Sequence, residues 1–277
     1  MSWPSLYEVF YQFAYTLSHV LPYLAGMGLL FTVLSYYSPC NAGGPWWHKR
    51  GLFTDITYWL IVPVVTRYLR IGVTVLITVQ LLGISSTDDI VKFYEHGHGP
   101  LSTLPIWSQV IVYLLFSDVS LYWIHRGFHT SNMLWKYHAV HHASKDLDWL
   151  SAARFHPVNI ILGTMIVDVV ALVGGITPDI FLFVGPFNTI TSAFVHANLD
   201  WTLGWFKYVF AGPVFHRWHH TREGCNKNFA STFPFLDVMF GTFYMPEGVL
   251  PQAYGIDDDE MPEDFARQLV YPLLQKG

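Results

Sequence analysis

The stretch 125–142 reads HRGFHTSNMLWKYHAVHH and puts five histidines into eighteen residues: His125, His129, His138, His141 and His142. A second H-x-x-H-H follows at His216, His219 and His220. Imidazole is the commonest protein metal ligand and suits iron, zinc, copper and nickel. On a helix, a step of four residues returns to within about 40° of the same face, and a step of three to within about 60°. Each cluster can therefore aim two or three ring nitrogens at one point. With 14 histidines in 277 residues, an H-x-x-H-H arises by chance roughly 0.04 times per chain. Two of them beside an H-x-x-x-H predict a metal centre.

Composition says where that centre sits. The chain is 52% hydrophobic and only 13% charged, with a mean hydropathy of +0.32. A soluble globule carries about 25% charged residues, so half the usual polar covering is missing. An integral membrane protein is expected. A formal charge of −5 and the lack of any Lys/Arg run argue against a nucleic-acid partner. Cys40 and Cys225 stand alone, without C-x-x-C spacing or a disulfide framework. The N-terminus has no basic region and no small-residue cleavage site, so no removable signal peptide is expected.

Outward from the histidines, Leu104–Ile124 is an apolar span that delivers directly into the first cluster. Upstream lie two more, at about 10–37 and 54–84. In the second, Pro63, Arg67 and Arg70 leave open one long tilted helix or a bent pair. Trp46 and Trp47 beside Lys49 and Arg50 mark a membrane boundary. Ser85–Ser102 reads as a polar loop with His96 and His98 at its surface. Downstream, Asn159–Ile176 and Ile180–Val195 form a hydrophobic hairpin, 159–195, parted by Gly174, Gly175 and Pro178; spans and a re-entrant pair are both open. After Trp201 the chain turns amphipathic and ends in an acidic tail from Asp257 to Glu263. The expected fold is an all-α integral membrane protein. It has four to five transmembrane helices and a cytoplasmic histidine-rich helical cap, divided into a transmembrane region, 1–124, and a histidine-rich region, 125–277. With five crossings, Lys49, Arg50, Arg126, Lys136, Lys145, Arg154, Lys207, Arg217, Arg222 and Lys227 share the cytoplasmic side with every histidine cluster.

His196 ends the last span on that same side, which makes nine histidines. Nine exceed the three or four that one metal takes, so two metals are expected. His156, in R-F-H-P beside a turn at Pro157, is open to either ligation or support. Asp118 lies seven residues before His125 on the same helix face. Its carboxylate is suited to accept the second ring N–H of a ligand histidine or to bond a neighbouring helix. Trp123, Trp135, Trp149 and Trp218 interleave the clusters, as water-excluding side chains or as an aromatic belt.

The series H-R-x-x-H, H-x-x-H-H, R-F-H-P, H-A-N and H-x-x-H-H, followed by N-K-N-F and by F-L-D-V-M-F-G-T at 235–242, resembles the fatty acid hydroxylase/sterol desaturase superfamily. The resemblance runs from about Asp118 to Thr242. It implies a di-iron centre that uses O2 to attack an unactivated lipid C–H bond, with 125–277 as the catalytic histidine-box region. His125, His129, His138, His141, His142, His196, His216, His219 and His220 match its ligand positions, while Asp118, Asn198 and Asp237 are candidates to support them. Some members carry a histidine four residues after the position of His196; this chain has Asp200 there, and Ala230 where a glycine is common. The implied reaction is hydroxylation or desaturation of a sterol-like, hopanoid-like or fatty acyl chain drawn from the membrane. Side chains alone supply no oxidant for such a bond. The chain also lacks a haem-attachment motif, ferredoxin cysteines and a dinucleotide fingerprint. Electrons are therefore expected from an external donor of cytochrome or ferredoxin type, docking near Arg126, Lys136, Lys145, Arg217 and Arg222. The alternative is a histidine-rich membrane metal-binding or transport protein without oxidase activity, although the clusters sit at span ends and not along them. Haem ligation by two facing histidines fits five crowded into one stretch less well.

Overall fold

The computed structural model describes residues 6–84, 86–223, 226–256 and 261–275. Cys225 and Asp257–Glu260 of the expected acidic tail lie outside them. Among the described residues the regular elements are all helical, with an isolated bridge between Thr221 and Tyr254 and no strand. Helices α1 (Leu6–Tyr37), α2 (Leu52–Gln80), α3 (Thr87–His96), α4 (Ile106–Thr130) and α5 (Asn132–His142) come first. They are followed by α6 (Pro157–Ile160), α7 (Ile166–Val173), α8 (Ile180–His196), α9 (Pro213–His219), α10 (Phe235–Met239) and α11 (Phe265–Leu274).

Phe13–Tyr37 and Ile106–Thr130 are long and apolar enough to cross a membrane. Each has 25 residues, about 37 Å of helix against a hydrocarbon core of about 30 Å. Only 17% and 28% of their apolar windows are buried inside the protein. A core helix of a water-soluble protein would bury most of such a window, so this outward apolar surface is consistent with a membrane protein. Pro157–Val173 is a shorter apolar helix, built from α6, a π-helical turn at Ile161–Met165, and α7.

One open alternative is settled and one local reading changes. The segment holding Pro63 is one continuous helix, α2, and not a bent pair. The supposed polar loop after it contains α3. Ser86 accepts the Asp89 amide at 3.1 Å, and Asp88 and Asp89 sit in the first turn. Those residues complement the helix dipole and cap the run, while Ile90 and the buried Phe93, three residues apart, give it an apolar face. His96 and His98 are exposed, at the surface.

The core lies where the N-terminal helices meet the histidine-bearing ones. Met27 and Phe31 of α1, Tyr58 and Trp59 of α2, Val140 of α5 and Ala193 of α8 surround Trp149. The Trp149 ring meets Phe31, Trp46 and Trp59 at centroid distances of 6.1, 5.3 and 6.1 Å. Trp149 and Trp218 are therefore core residues and not part of a belt, whereas Trp123 is half exposed. Their indole bodies find more apolar area inside the protein than a headgroup region offers.

Beside this core, four charges are buried together. Lys49 Nζ lies 2.5 Å from Asp55 and 2.9 Å from Asp148, and Arg154 Nε donates to Asp55. The cluster joins the start of α2 to the 148–154 turn. Removing one partner of such a group leaves a buried charge uncompensated, at about 3–5 kcal/mol. Asp55→Ala should cost that much stability, and the melting temperature of the detergent-solubilised protein checks it; an unchanged melt would mean the cluster is energetically idle.

Candidate metal centre

The two H-x-x-H-H motifs and the three histidines around them converge. α4 runs without a break past the expected span end, carrying His125 and His129 one turn apart. Ser131 stops it and caps α5, its side chain accepting the Leu134 amide. α5 then packs back on α4 and presents His138, His141 and His142. α8 ends at His196, and α9, started by Pro213, carries His216 and His219, with His220 just past its end.

The nine rings form two groups. His125, His129, His138, His142 and His219 make one; His141, His196, His216 and His220 make the other. Within each group the ligand atoms lie within 4.8 Å of one another. Helix geometry explains the division. Neighbouring residues are about 100° apart around a helix, whereas i and i+4 nearly coincide. Each H-x-x-H-H thus gives its i, i+4 pair to one group and its middle histidine to the other. His138 and His142 join the first group and His141 the second; His216 and His220 join the second and His219 the first. The groups adjoin, with the His142 and His220 rings stacked at 4.4 Å.

The ring protons are parked away from the group centres. Nδ1–H of His125 donates to Phe229 O at 2.8 Å, that of His141 to Arg154 O at 3.2 Å, that of His196 to Ser192 O at 2.7 Å and that of His219 to Lys227 O at 2.6 Å. A carbonyl can only accept, so Nε2 of these four carries a lone pair. His141 and His196 then face each other Nε2 to Nε2 at 3.3 Å, where no hydrogen bond can join them. The Nε2 contacts His196–His216 and His216–His220 are 3.2 and 3.1 Å. Two nitrogens about 2.1 Å from one cation stand about 3.0 Å apart at a right angle and about 3.4 Å apart at the tetrahedral angle. In the first group, the buried Nε2 atoms of His142 and His219 have no hydrogen-bond partner. The donor set fits a cation in each group.

Burial, reinforced by neighbouring histidines, holds His138, His141, His142, His216, His219 and His220 well below the ordinary imidazole pKa. They are neutral at physiological pH, the state a metal ligand requires.

The three expected supporting residues act differently from the simplest expectation. Asp118 accepts no ligand N–H; it takes the amides of Ser231, Thr232 and Phe233 at 3.2, 2.8 and 2.8 Å. Asp237 takes the amides of Phe229 and Ala230, both at 2.8 Å, and the Thr242 hydroxyl. Both carboxylates therefore fix the strap whose Phe229 carbonyl holds His125. A strap of unpaired amides competes for a buried carboxylate better than one ring N–H does, because it offers two or three donors at once. Asn198 exchanges two hydrogen bonds with the backbone of Asn41, both at 3.0 Å, so its amide is committed away from the histidines. Asp200 is exposed. His156 belongs to neither group; Nδ1 caps α6 through the Val158 amide and Nε2–H donates to Leu269 O of α11. Ala230 needs no glycine, because its φ is not positive.

Other residues had no distinctive signal of their own. Asn228, within N-K-N-F, is fully buried at φ +56° and bonds Phe215 O, Tyr244 O and Tyr244 N; asparagine tolerates that conformation better than most residues. Arg217, expected on a basic rim, is instead buried. It donates to Leu147 O and His196 O at 2.9 and 3.0 Å, to the Tyr254 hydroxyl at 3.1 Å, and to Asn41 Oδ1. Its fork of donors clamps the loop after α8 onto α9, a use the helix-terminal position did not reveal.

Residues 110–242, from within α4 to just past α10, match the fatty acid hydroxylase family. That stretch, just under half of the chain, is similar to the fatty acid hydroxylase/sterol desaturase superfamily. The chain is 29% identical over 185 residues to ornithine lipid hydroxylase OlsE of Rhizobium tropici, covering 66% of this chain and 55% of that protein. Against alkylglycerol monooxygenase of Xenopus tropicalis, identity is 33% over 47% of this chain and 29% of the relative. Methylsterol monooxygenase 2-2 of Arabidopsis thaliana is 31% identical over 50% of this chain and 55% of its own length. The chain thus spans about half or less of these curated relatives. No solved structure matches it.

The neutral imidazoles set a pH dependence in the metal-free protein. Their folded pKa is depressed and the unfolded value is about 6.5, so below that pH the unfolded chain binds more protons. Stability should therefore fall as pH drops below about 6.5, by up to about 1.4 kcal/mol per pH unit for each histidine that stays neutral. Melting temperatures of chelator-treated protein between pH 8 and 5.5 test this; a flat profile would contradict it.

Proposed function

We propose that the protein is a membrane-bound di-iron oxygenase that uses O2 and external electrons to hydroxylate or desaturate a lipid C–H bond. The observation that carries this reading is the pair of adjoining, buried, all-histidine groups, one with five ligands and one with four. The relatives, named as a lipid hydroxylase and two monooxygenases, support it. The first group would be held by His125, His129, His138, His142 and His219, and the second by His141, His196, His216 and His220. Bound iron supplies the O2 chemistry that no side chain can.

The chain's own residues orient and protect. The Phe229, Arg154, Ser192 and Lys227 carbonyls keep four rings from turning. Phe155 lies flat on His141 at 4.4 Å, and Trp135 packs on His129 and His142 at 5.0 and 5.4 Å, which excludes water from the rings. Two helices with outward apolar surface support insertion in the bilayer, and α4 runs from that surface into the first group. We assign four to five spans and place the histidines on the cytoplasmic side, from the Lys/Arg bias. The substrate class is a membrane lipid with a sterol-like, hopanoid-like or fatty acyl chain. A pocket beside His142 is lined by Trp135, Lys136, Arg222 and Tyr271. It suits docking of a cytochrome- or ferredoxin-type donor, with Lys145 exposed nearby in sequence.

Protein purified without added metal should hold two iron atoms per chain. His141→Ala, in the four-ligand group, and His219→Ala, in the five-ligand group, should each abolish lipid oxidation and lower metal content. Full turnover in either variant would sink the assignment, and zinc- or copper-dependent transport without oxidation would favour a metal carrier. Lipid mass spectrometry of cells with and without the gene would identify the substrate.

A further inference from the structure

R-F-H-P-V-N, at 154–159, holds a histidine of each group, and not through His156. Arg154 O accepts the His141 ring proton and Phe155 stacks on that ring. Asn159, at the start of the apolar Pro157–Val173 segment, is buried with its amide nitrogen 2.8 Å from His138 Nδ1. Its Oδ1 is buried and has no hydrogen-bond partner. Nothing at that end anchors the amide, so His138 alone decides which way it faces. The oxygen and NH2 ends of the amide are close in size, so either can face His138 Nδ1.

The two orientations have different consequences. An amide N–H aimed at Nδ1 needs a lone pair there and puts the ring proton on Nε2. That proton would lie between His138 Nε2 and His125 Nε2, which are 3.0 Å apart. His125 already carries its proton on Nδ1, toward Phe229 O, so this is a satisfactory hydrogen bond but one that closes His138 to a metal. With the amide turned over, its carbonyl accepts Nδ1–H and His138 Nε2 presents a lone pair to the first group, like His125 and His219.

Resting on the di-iron reading above, we infer that Asn159 is a positioning residue: its side-chain carbonyl holds the Nδ1–H of His138 when the first group binds metal. Backbone carbonyls hold His125, His141, His196 and His219 in one tautomer permanently. Asn159 alone among these holders can serve either tautomer, so His138 is an adjustable ligand. Loss of such an outer partner typically weakens metal binding about 10–100-fold.

The test compares Asn159→Leu, which has similar shape and no acceptor, with Asn159→Asp, which can only accept. The full chain is loaded with iron, metal per chain is measured by mass spectrometry, and affinity is read by cobalt(II) titration through its visible absorption. Asn159→Leu should fall toward one tightly held metal, with first-group affinity about 10–100-fold weaker, whereas Asn159→Asp should keep two. Two metals at wild-type affinity in Asn159→Leu, or loss of metal in Asn159→Asp, would overturn the inference while leaving the di-iron reading intact. If Asn159→Leu does not accumulate, Asn159→Asp decides: retention supports the carbonyl as acceptor and loss refutes it. Wild-type protein that binds no metal overturns the di-iron reading, and this inference with it.

Discussion

A neutral histidine that turns one lone pair toward its neighbours has to put its proton elsewhere, and four of the nine clustered histidines give it to backbone oxygen. Phe229, Arg154, Ser192 and Lys227 each offer a carbonyl to an Nδ1–H. Several further polar contacts near the site hold the strap that carries the first of these carbonyls. Asp118 and Asp237 gather five backbone amides of the 229–233 strap. Asn228 ties that strap to Phe215 and Tyr244. Hydrogen bonds to a charged acceptor contribute about 1.5–3 kcal/mol each, so the strap is held far more firmly than one exposed loop bond could hold it.

The electrostatic design follows from this. Carboxylates near the site are set one step back from the rings, and the groups themselves are assembled from neutral nitrogen. Burial keeps those imidazoles neutral, and any added cation meets ready lone pairs, with few ring protons to displace. Three cationic side chains, Lys49, Arg154 and Arg217, are buried as well. Arg217 spreads its charge over carbonyls and a phenol ring 4.5 Å away, and Arg154 and Lys49 share Asp55 and Asp148.

The N-terminal third contributes more than an anchor. Residues 110–242 carry the family match, yet Asn41, Lys49 and Asp55 lie outside it and still reach the site. Asn41 bonds both Arg217 and Asn198, and Asp55 pairs with Arg154, whose carbonyl holds His141. α1 and α2 thus form one wall of the core and steady the second group through two polar links. A family domain taken alone would leave both links unmade.

By itself, the sequence determined the helical class, the apolar surface of α1 and α4, and the nine histidines. Each of these follows from a short-range period or a composition: 3.6 residues per turn, H-x-x-H-H spacing, and a 13% charged chain. Tertiary structure decided which histidine joins which group, since that depends on how α4, α5, α8 and α9 cross. It also decided the tasks of Asp118, Asn198, His156, Trp149 and Arg217. A buried polar side chain bonds whatever donor or acceptor the fold brings to it, and partners here lie from two to more than 170 residues away. Local pattern carries no record of such pairings. Asn159 shows the limit most sharply, for its role depends on one nitrogen of a histidine 21 residues earlier.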